Sequence, residues 1–335
     1  MRNRSRTSRG MLSVVIASVV LMPVSAAGQR SAATAKAAKT WTPPRTPDGQ
    51  PDLQGMWTNA TITPFERPSA LASKAFLTEA EAATLEQEAA ARRLNDENAP
   101  RPDDVGSYND FWFNSGSKVV GTRRTSLVVD PPDGRVPLKP EAEKKRDFNL
   151  TNVDSFESMS PWDRCVTRGS GRMFPAGYNN AYKIVQTPDY VVILHEMIHE
   201  ARIIPLDGRP HPASSIRMWT GDPRGRWDGN TLVVETTNFN GKGWIATNAA
   251  AGRIRGVPHS DALRLVERFT RVDADAIDYE VTIEDPNIFT RPWTVAIPLL
   301  RDDGYQIFEY ACREGNKAIE FTLSGARAAG RAGKK

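Results

Sequence analysis

Residues 190–204 read YVVILHEMIHEARII, and the backbone conformation of this stretch settles which fold class and which chemistry the chain supports. Its valines and isoleucines are β-branched and favour extended backbone, and residues typical of turns bracket it on both sides. We therefore predict one long strand over residues 190–204. On a strand the side chains of His195 and His199 share one face, whereas that of Glu196 lies on the opposite face.

The same stretch contains HExxH at residues 195–199, which is the signature of zinc peptidases. On a helix, His195 and His199 would project from one face and share a metal ion, with Glu196 as the general base. On a strand, residues four apart are separated by about 13 Å, because each residue advances the chain by about 3.3 Å. The strand assignment therefore predicts no metal site, and His195 and His199 are ligands only if the segment is helical.

Strand-like segments recur along most of the chain at short spacing. Turn residues separate them, and such short connections join only antiparallel neighbours. The predicted strands are residues 118–129, 181–187, 190–204, 214–220, 231–238, 262–272, 277–284, 292–301 and 305–312. The pattern predicts an all-β, mainly antiparallel fold: a lipocalin-like barrel or rolled sheet of about eight or more strands, with an N-terminal arm and one or two peripheral helices.

Helix signals are fewer than strand signals. Thr78 to Glu81 form a capping box that opens a helix extending to about Arg93. Shorter helices are predicted at residues 139–146 and 315–329.

The N-terminus reads as an export signal. Arginines at positions 2, 4, 6 and 9 precede an apolar run and a small-residue cleavage site near Ala27. We predict a signal peptide at 1–27, an arm, helix and aromatic loop packing on the barrel at 28–117, and an antiparallel β domain at 118–330. The mature protein is then periplasmic or secreted and has no membrane span, because no apolar run approaches the roughly 18 residues of a spanning helix.

Charge and composition exclude several function classes. Of the 335 residues, 39% are hydrophobic and 25% charged, as in globular proteins. Without residues 1–27 the formal net charge falls from +4 to 0, so nothing predicts nucleic-acid binding. The chain has no GxGxxG before a helix, no Walker loop and no GxSxG elbow, so we predict no cofactor. The oligomeric state is left open.

The two cysteines, Cys165 and Cys312, are predicted to form a disulfide in an oxidising compartment. The alternative is that Cys165 is a nucleophile activated by a histidine.

Polar residues concentrate near the histidines. Glu196 lies in an apolar run and must be paired or neutral, and a histidine beside carboxylates can transfer protons. We assign Glu196 and His199 as acid/base residues and Arg202 and His211 as their catalytic charge partners. The predicted substrate-binding residues are Arg209, Trp219, Trp227, Tyr178 and Asn180. The alternative is that these residues have structural roles only: the charged ones form ion pairs at turns, and the tryptophans cover the hydrophobic core.

Four motifs carry a resemblance: RTSLVVDPPDGR at 124–135, RIIPLDGRPH at 202–211, GRWDGNTLVV at 225–234 and EYACREGN at 309–316. They resemble those of a family of exported, mostly uncharacterised bacterial proteins, and the resemblance covers nearly all of the mature chain. The resemblance implies export but no reaction. In the family pattern a His usually follows the late cysteine, where this chain has Arg313, and a Tyr often stands at the position of His195.

Three functions stay open on the sequence. The first is an exported, cofactor-independent enzyme doing acid/base chemistry, as a lyase, isomerase or hydrolase, on a small aromatic or apolar molecule. The second is a periplasmic lipocalin-type protein that holds a ligand without converting it. The third is a zinc-dependent hydrolase using HExxH.

Overall fold

The computed structural model describes residues 41–98, 114, 116–171 and 173–333, and of residues 93–98 it describes only the backbone. The helices are α1 (Glu79–Asn98), α2 (Pro140–Thr151) and α3 (Ala318–Ala332). The strands are β1 (Gly55–Thr58), β2 (Val128–Asp130), β3 (Ala181–Gln186), β4 (Tyr190–His195), β5 (Ala201–Pro205), β6 (Asp222–Asp228), β7 (Thr231–Thr237), β8 (Arg264–Arg271), β9 (Ala276–Glu284) and β10 (Trp293–Arg301). The predicted signal peptide, residues 28–40 of the arm and most of the aromatic loop before residue 114 lie outside the described residues.

The strands form one antiparallel sheet in the order β5-β4-β3-β1-β10-β9-β8-β7-β6, and β2 pairs with β10 off this path. The two end strands approach each other at Gly225. A Cβ there would lie 2.7 Å from Ile204 Cγ2 and 2.8 Å from Leu206 Cδ2, so only glycine fits at this contact. The sheet is therefore rolled into a nearly closed barrel, which confirms the predicted all-β fold with peripheral helices.

The barrel interior is a packed core. Alternate residues of each strand point inward, as in β8, where Leu265, Glu267 and Phe269 are buried between more exposed neighbours. Trp57 and Trp293 are among the largest fully buried side chains. Aromatic and branched side chains thus fill the volume that a lipocalin keeps for its ligand.

The prediction of one strand over residues 190–204 is wrong. The run is a hairpin in which β4 ends at His195, a 3-10 turn covers Met197–His199, and β5 begins at Ala201. Ile198 and His199 have φ of 61° and 43°, in the left-handed region that an extended strand cannot contain. β-branched residues favoured the two strands correctly, but propensity alone did not reveal the turn between them.

Two other predicted strands are loops. At 214–220 the amide of Asn238 donates to the carbonyls of Pro212, Ala213 and Ile216, so a side chain replaces the sheet ladder, and the strand begins at Asp222 instead. Residues 305–312 cross the β4–β5 turn without pairing with a strand. Of the predicted strand 118–129, only the end is extended, as β2.

The capping box of α1 is confirmed. The Thr78 amide donates to Glu81 Oε2 at 2.8 Å, and the Glu81 amide donates to Thr78 Oγ1 at 3.3 Å. These bonds and the neighbouring Lys74 hold the pKa of Glu81 at about 2, with the Lys74 hydrogen bond as the largest cause. Among the described residues no helix is both long and apolar enough to cross a bilayer.

Candidate functional site

The β4–β5 turn contains both predicted acid/base residues, Glu196 and His199. The His195 amide donates to the Glu200 carbonyl at 2.8 Å, and the His199 amide donates to the Glu196 carbonyl at 3.1 Å. The left-handed backbone of Ile198 and His199 reverses the chain within these few residues. As a result the Glu196 side chain is buried in the turn, whereas that of His199 is exposed on it. The two residues thus share a turn between two strands, and no bulge in a continuous strand is involved.

Glu196 is buried, with 1% of its surface exposed. Its Oε1 accepts from the Tyr305 hydroxyl at 2.6 Å and from the Phe308 amide at 3.3 Å. Its Oε2 is buried without a hydrogen-bond partner among the described residues. Burial raises the pKa of Tyr305, and its hydrogen bond to Glu196 and the charge of that carboxylate raise it further. The phenol is therefore held in its neutral, donating form.

His199 has its protonation pattern set by a backbone group. Its Nδ1 lies 2.8 Å from the Tyr310 carbonyl oxygen, which can only accept a hydrogen bond. Nδ1 therefore carries a proton, and in the neutral imidazole Nε2 is the basic nitrogen. This is the orientation that a general base needs.

Tyr305, Phe308 and Tyr310 belong to one segment, residues 302–317, which we call the C-terminal strap. It has no helix or strand and runs from the end of β10 to α3. Cys312 in the strap forms a disulfide with Cys165, with the Cα atoms 5.7 Å apart, which confirms the predicted bond. Since no free thiol remains on Cys165, the nucleophile alternative is wrong.

The strap and the turn enclose a small apolar cluster that is separate from the barrel core. Met197 and Ile198 are buried in it, and Trp162, Tyr178 and Tyr310 pack against them. Beside the cluster lies an open cleft of about 480 Å³. The cleft is lined by Cys165, Val166, Ile198, His199, Glu200, Glu309, Ala311, Cys312, Arg313 and Glu314.

Arg202 lies apart from this site, inside the barrel. Its guanidinium donates to both carboxylate oxygens of Glu267, at 2.9 and 2.5 Å, and Tyr279 OH donates to Glu267 Oε1 at 3.0 Å. Desolvation alone would lower the pKa of Arg202, but the charge and hydrogen bonds of Glu267 outweigh it, so the pKa lies above its usual value. Arg202 is thus committed to a buried ion pair.

Arg209 and His211 lie beyond β5, on the connection to β6. Arg209 Nε donates to Asp207 Oδ2 at 2.6 Å on an exposed turn, and its Nη2 donates to Tyr190 OH at 3.2 Å. His211 Nδ1 lies 2.7 Å from Asp222 Oδ2. The strand predicted at 214–220 ends before Asp222, so the sequence did not predict Asp222 as the partner of His211.

The remaining predicted binding residues are dispersed. The Arg164 guanidinium lies 5.4 Å from the Trp219 ring centre, and Trp227 packs against the barrel core. Tyr178 is close to the β4–β5 turn through the strap cluster. Asn180 holds the backbone amide and carbonyl of Ala176.

The helical arrangement required for a zinc HExxH is absent from residues 195–199. The His195 ring is buried edge-on against Tyr182, with the ring centres 5.0 Å apart, whereas the His199 ring faces the strap. Within the described ranges, no group of three His, Cys, Asp or Glu residues lies close enough to hold a metal ion.

Tyr305 is a residue of the candidate site that sequence reasoning missed. It is 109 positions from Glu196, and the sequence pattern predicts it at the start of a strand. No local sequence signal identified Tyr305 as a site residue, because only the path of the strap brings it to the turn. Comparisons with protein-family models, with curated proteins and with solved structures found no match to this chain.

Proposed function

We propose that the protein is a cofactor-independent enzyme doing acid/base chemistry, as a lyase, isomerase or hydrolase, with Glu196 and His199 as its proton-transferring residues. The observation that carries the proposal is the buried Glu196 carboxyl, which has one oxygen without a partner and no ion-pair cation among the described residues. Burying a carboxylate without a cation costs free energy, and such groups concentrate at catalytic sites.

The chemistry follows from the different surroundings of the two groups. His199 lines the open cleft and has Nε2 as its basic nitrogen, so it can take a proton from a substrate or from water. Glu196 is buried beside the turn, and its unpartnered oxygen is the second proposed site of proton transfer. The two groups therefore differ in exposure and in hydrogen-bond partners.

The cleft supports a small aromatic or apolar substrate that carries a polar group. Val166, Ile198, Ala311 and the disulfide supply apolar surface beside the charged side chains of the lining. Arg202, Arg209, His211, Trp219 and Trp227 have other partners and do not enter this proposal. An exported location, periplasmic or secreted, is supported by the disulfide, since such bonds persist in oxidising compartments.

The test is profiling of a bacterial metabolite extract by mass spectrometry. We expect the wild-type protein to deplete one small molecule and produce another, and Glu196→Gln to reduce that conversion by about 10² to 10⁴-fold. Glu280→Gln is the matched control, because Glu280 is an exposed glutamate on the outer face of β9. It should convert as fast as the wild type.

Two results would contradict the proposal. Equal conversion by Glu196→Gln would remove Glu196 from the mechanism. A molecule that remains bound to the wild type without being converted would favour the ligand-binding alternative.

A further inference from the structure

The C-terminal strap is held to the body of the protein at separated points. At its start the Asp302 amide donates to the Met56 carbonyl at 2.9 Å, next to the end of β10. Farther along, Cys312 is bonded covalently to Cys165, and the Asn316 amide donates to the Asp163 carbonyl at 3.3 Å. Within the described residues, the disulfide is therefore the only covalent link, apart from the main chain itself, between the strap and the body of the protein.

Between these points the strap contacts the β4–β5 turn through hydrogen bonds to the two proposed catalytic residues. Tyr305 and Phe308 donate to Glu196, and the Tyr310 carbonyl accepts from His199. The Trp162 indole adds a bond to Tyr310 OH at 3.3 Å. Each such bond contributes little net stability, because folding exchanges it for hydrogen bonds to water. The same contacts orient both residues, and they cover Glu196, whereas His199 stays exposed at the cleft.

The strap has little other packing to keep it in place. Its apolar contacts belong to the small cluster around Met197 and Ile198, which is separate from the barrel core. Phe308 is 67% exposed, and α3, which follows the strap, contains no buried residue. The disulfide raises the local concentration of the strap at the turn, so that these weak contacts form together.

We propose that the Cys165–Cys312 disulfide is a redox-controlled link that holds the C-terminal strap on the β4–β5 turn. Its reduction releases the strap and uncovers Glu196. This inference rests on the proposed function, of which it is the regulation. The disulfide lines the open cleft, so a dithiol reductant can reach it. The barrel keeps its own core and stays folded when the strap is free.

The exchange reaction balances as two thiol–disulfide steps. A thiolate of the dithiol attacks one sulfur of the Cys165–Cys312 bond, which breaks, and the other cysteine leaves as a thiolate and takes a proton. The second thiol of the reductant, as a thiolate, then attacks the reductant's own sulfur in the mixed disulfide, and the remaining cysteine leaves as a thiolate and takes a proton. The cysteines gain two electrons and two protons, and the dithiol becomes a disulfide.

Hydrogen exchange followed by mass spectrometry tests the release, with dithiothreitol as the reductant. In the reduced wild type, and in Cys165→Ser/Cys312→Ser without reductant, we expect peptides from the strap to exchange about tenfold faster or more than in the oxidised protein. Peptides from β8 and β9 should be unchanged. Wild type incubated with oxidised dithiothreitol is the matched control.

Unchanged strap exchange after reduction would overturn the inference. Equally accelerated hydrogen exchange in the strap and in β8 and β9 would also overturn it, because the disulfide would then stabilise the whole fold. The measurement uses no substrate, so its failure is distinguishable from failure of the proposed function, which is read only from metabolite conversion.

Discussion

Two glutamates, Glu267 in the barrel and Glu196 in the β4–β5 turn, are similarly buried and differ in their hydrogen-bond partners. Each accepts a hydrogen bond from a tyrosine, Glu267 from Tyr279 at 3.0 Å and Glu196 from Tyr305 at 2.6 Å. Glu267 also receives both prongs of the Arg202 guanidinium, whereas Glu196 has one oxygen without a partner among the described residues.

Burial by itself therefore does not assign a role to a carboxylate. A buried charge that is paired and fully hydrogen-bonded is part of the fold, because removing one partner leaves the other uncompensated. A buried carboxyl without a cation keeps the capacity to exchange a proton. We therefore interpret Glu267 as structural and Glu196 as chemical.

The largest effect should come from breaking the barrel pair. Glu267→Gln leaves the buried Arg202 charge unpaired, so we expect a loss of about 3 to 5 kcal/mol in the free energy of unfolding. Urea denaturation followed by tryptophan fluorescence measures it. Arg202→Met/Glu267→Gln is the control, because it removes both charges and should recover much of the loss. A loss below about 1 kcal/mol in Glu267→Gln would remove the contrast between the two glutamates.

A smaller effect on stability is expected at the turn. In Glu196→Gln the amide oxygen still accepts from Tyr305 and Phe308, so the unfolding free energy should fall by about 1 kcal/mol or less. The same urea experiment measures it, with Glu280→Gln as the control for an exposed glutamate. A loss as large as that of Glu267→Gln would show that Glu196 is a structural residue with an unrecognised counter-charge.

The smallest effect is a pH dependence of the strap contact. Burial and Glu196 raise the pKa of Tyr305 above its ordinary value of 10.0. A raised pKa in the folded state means that this contribution to stability is fully present below pH 10 and declines as the pH rises beyond it. The stability difference between wild type and Tyr305→Phe should therefore shrink above about pH 10. Thermal melts of both proteins between pH 8 and 11 measure it, and a difference that grows with pH would contradict the assigned contact.

Much of the fold was predictable because its signals are local. Period-two alternation located β3, β7, β8, β9 and β10 to within a few residues, since each strand buries one face against the core. The capping box located α1, because its hydrogen bonds join residues only three apart. The site was less predictable, because Glu196 and His199 were identified as candidates but Tyr305 was not.

The amino-acid sequence was sufficient to predict the all-β class, the antiparallel pairing and the disulfide. Alternating apolar and polar residues, short turns and the presence of two cysteines leave few alternatives. The sequence was not sufficient for the break at Ile198, where β-branched residues continue through the turn and the reversal depends on backbone angles that propensity does not record. The sequence also could not predict which buried side chains pair with each other. Arg202 meets Glu267 because β5 and β8 face the same interior, and Glu196 meets Tyr305 because the strap crosses the turn. Contacts between residues 65 and 109 positions apart depend on how the sheet closes and where the strap is fastened, and both are properties of the assembled barrel.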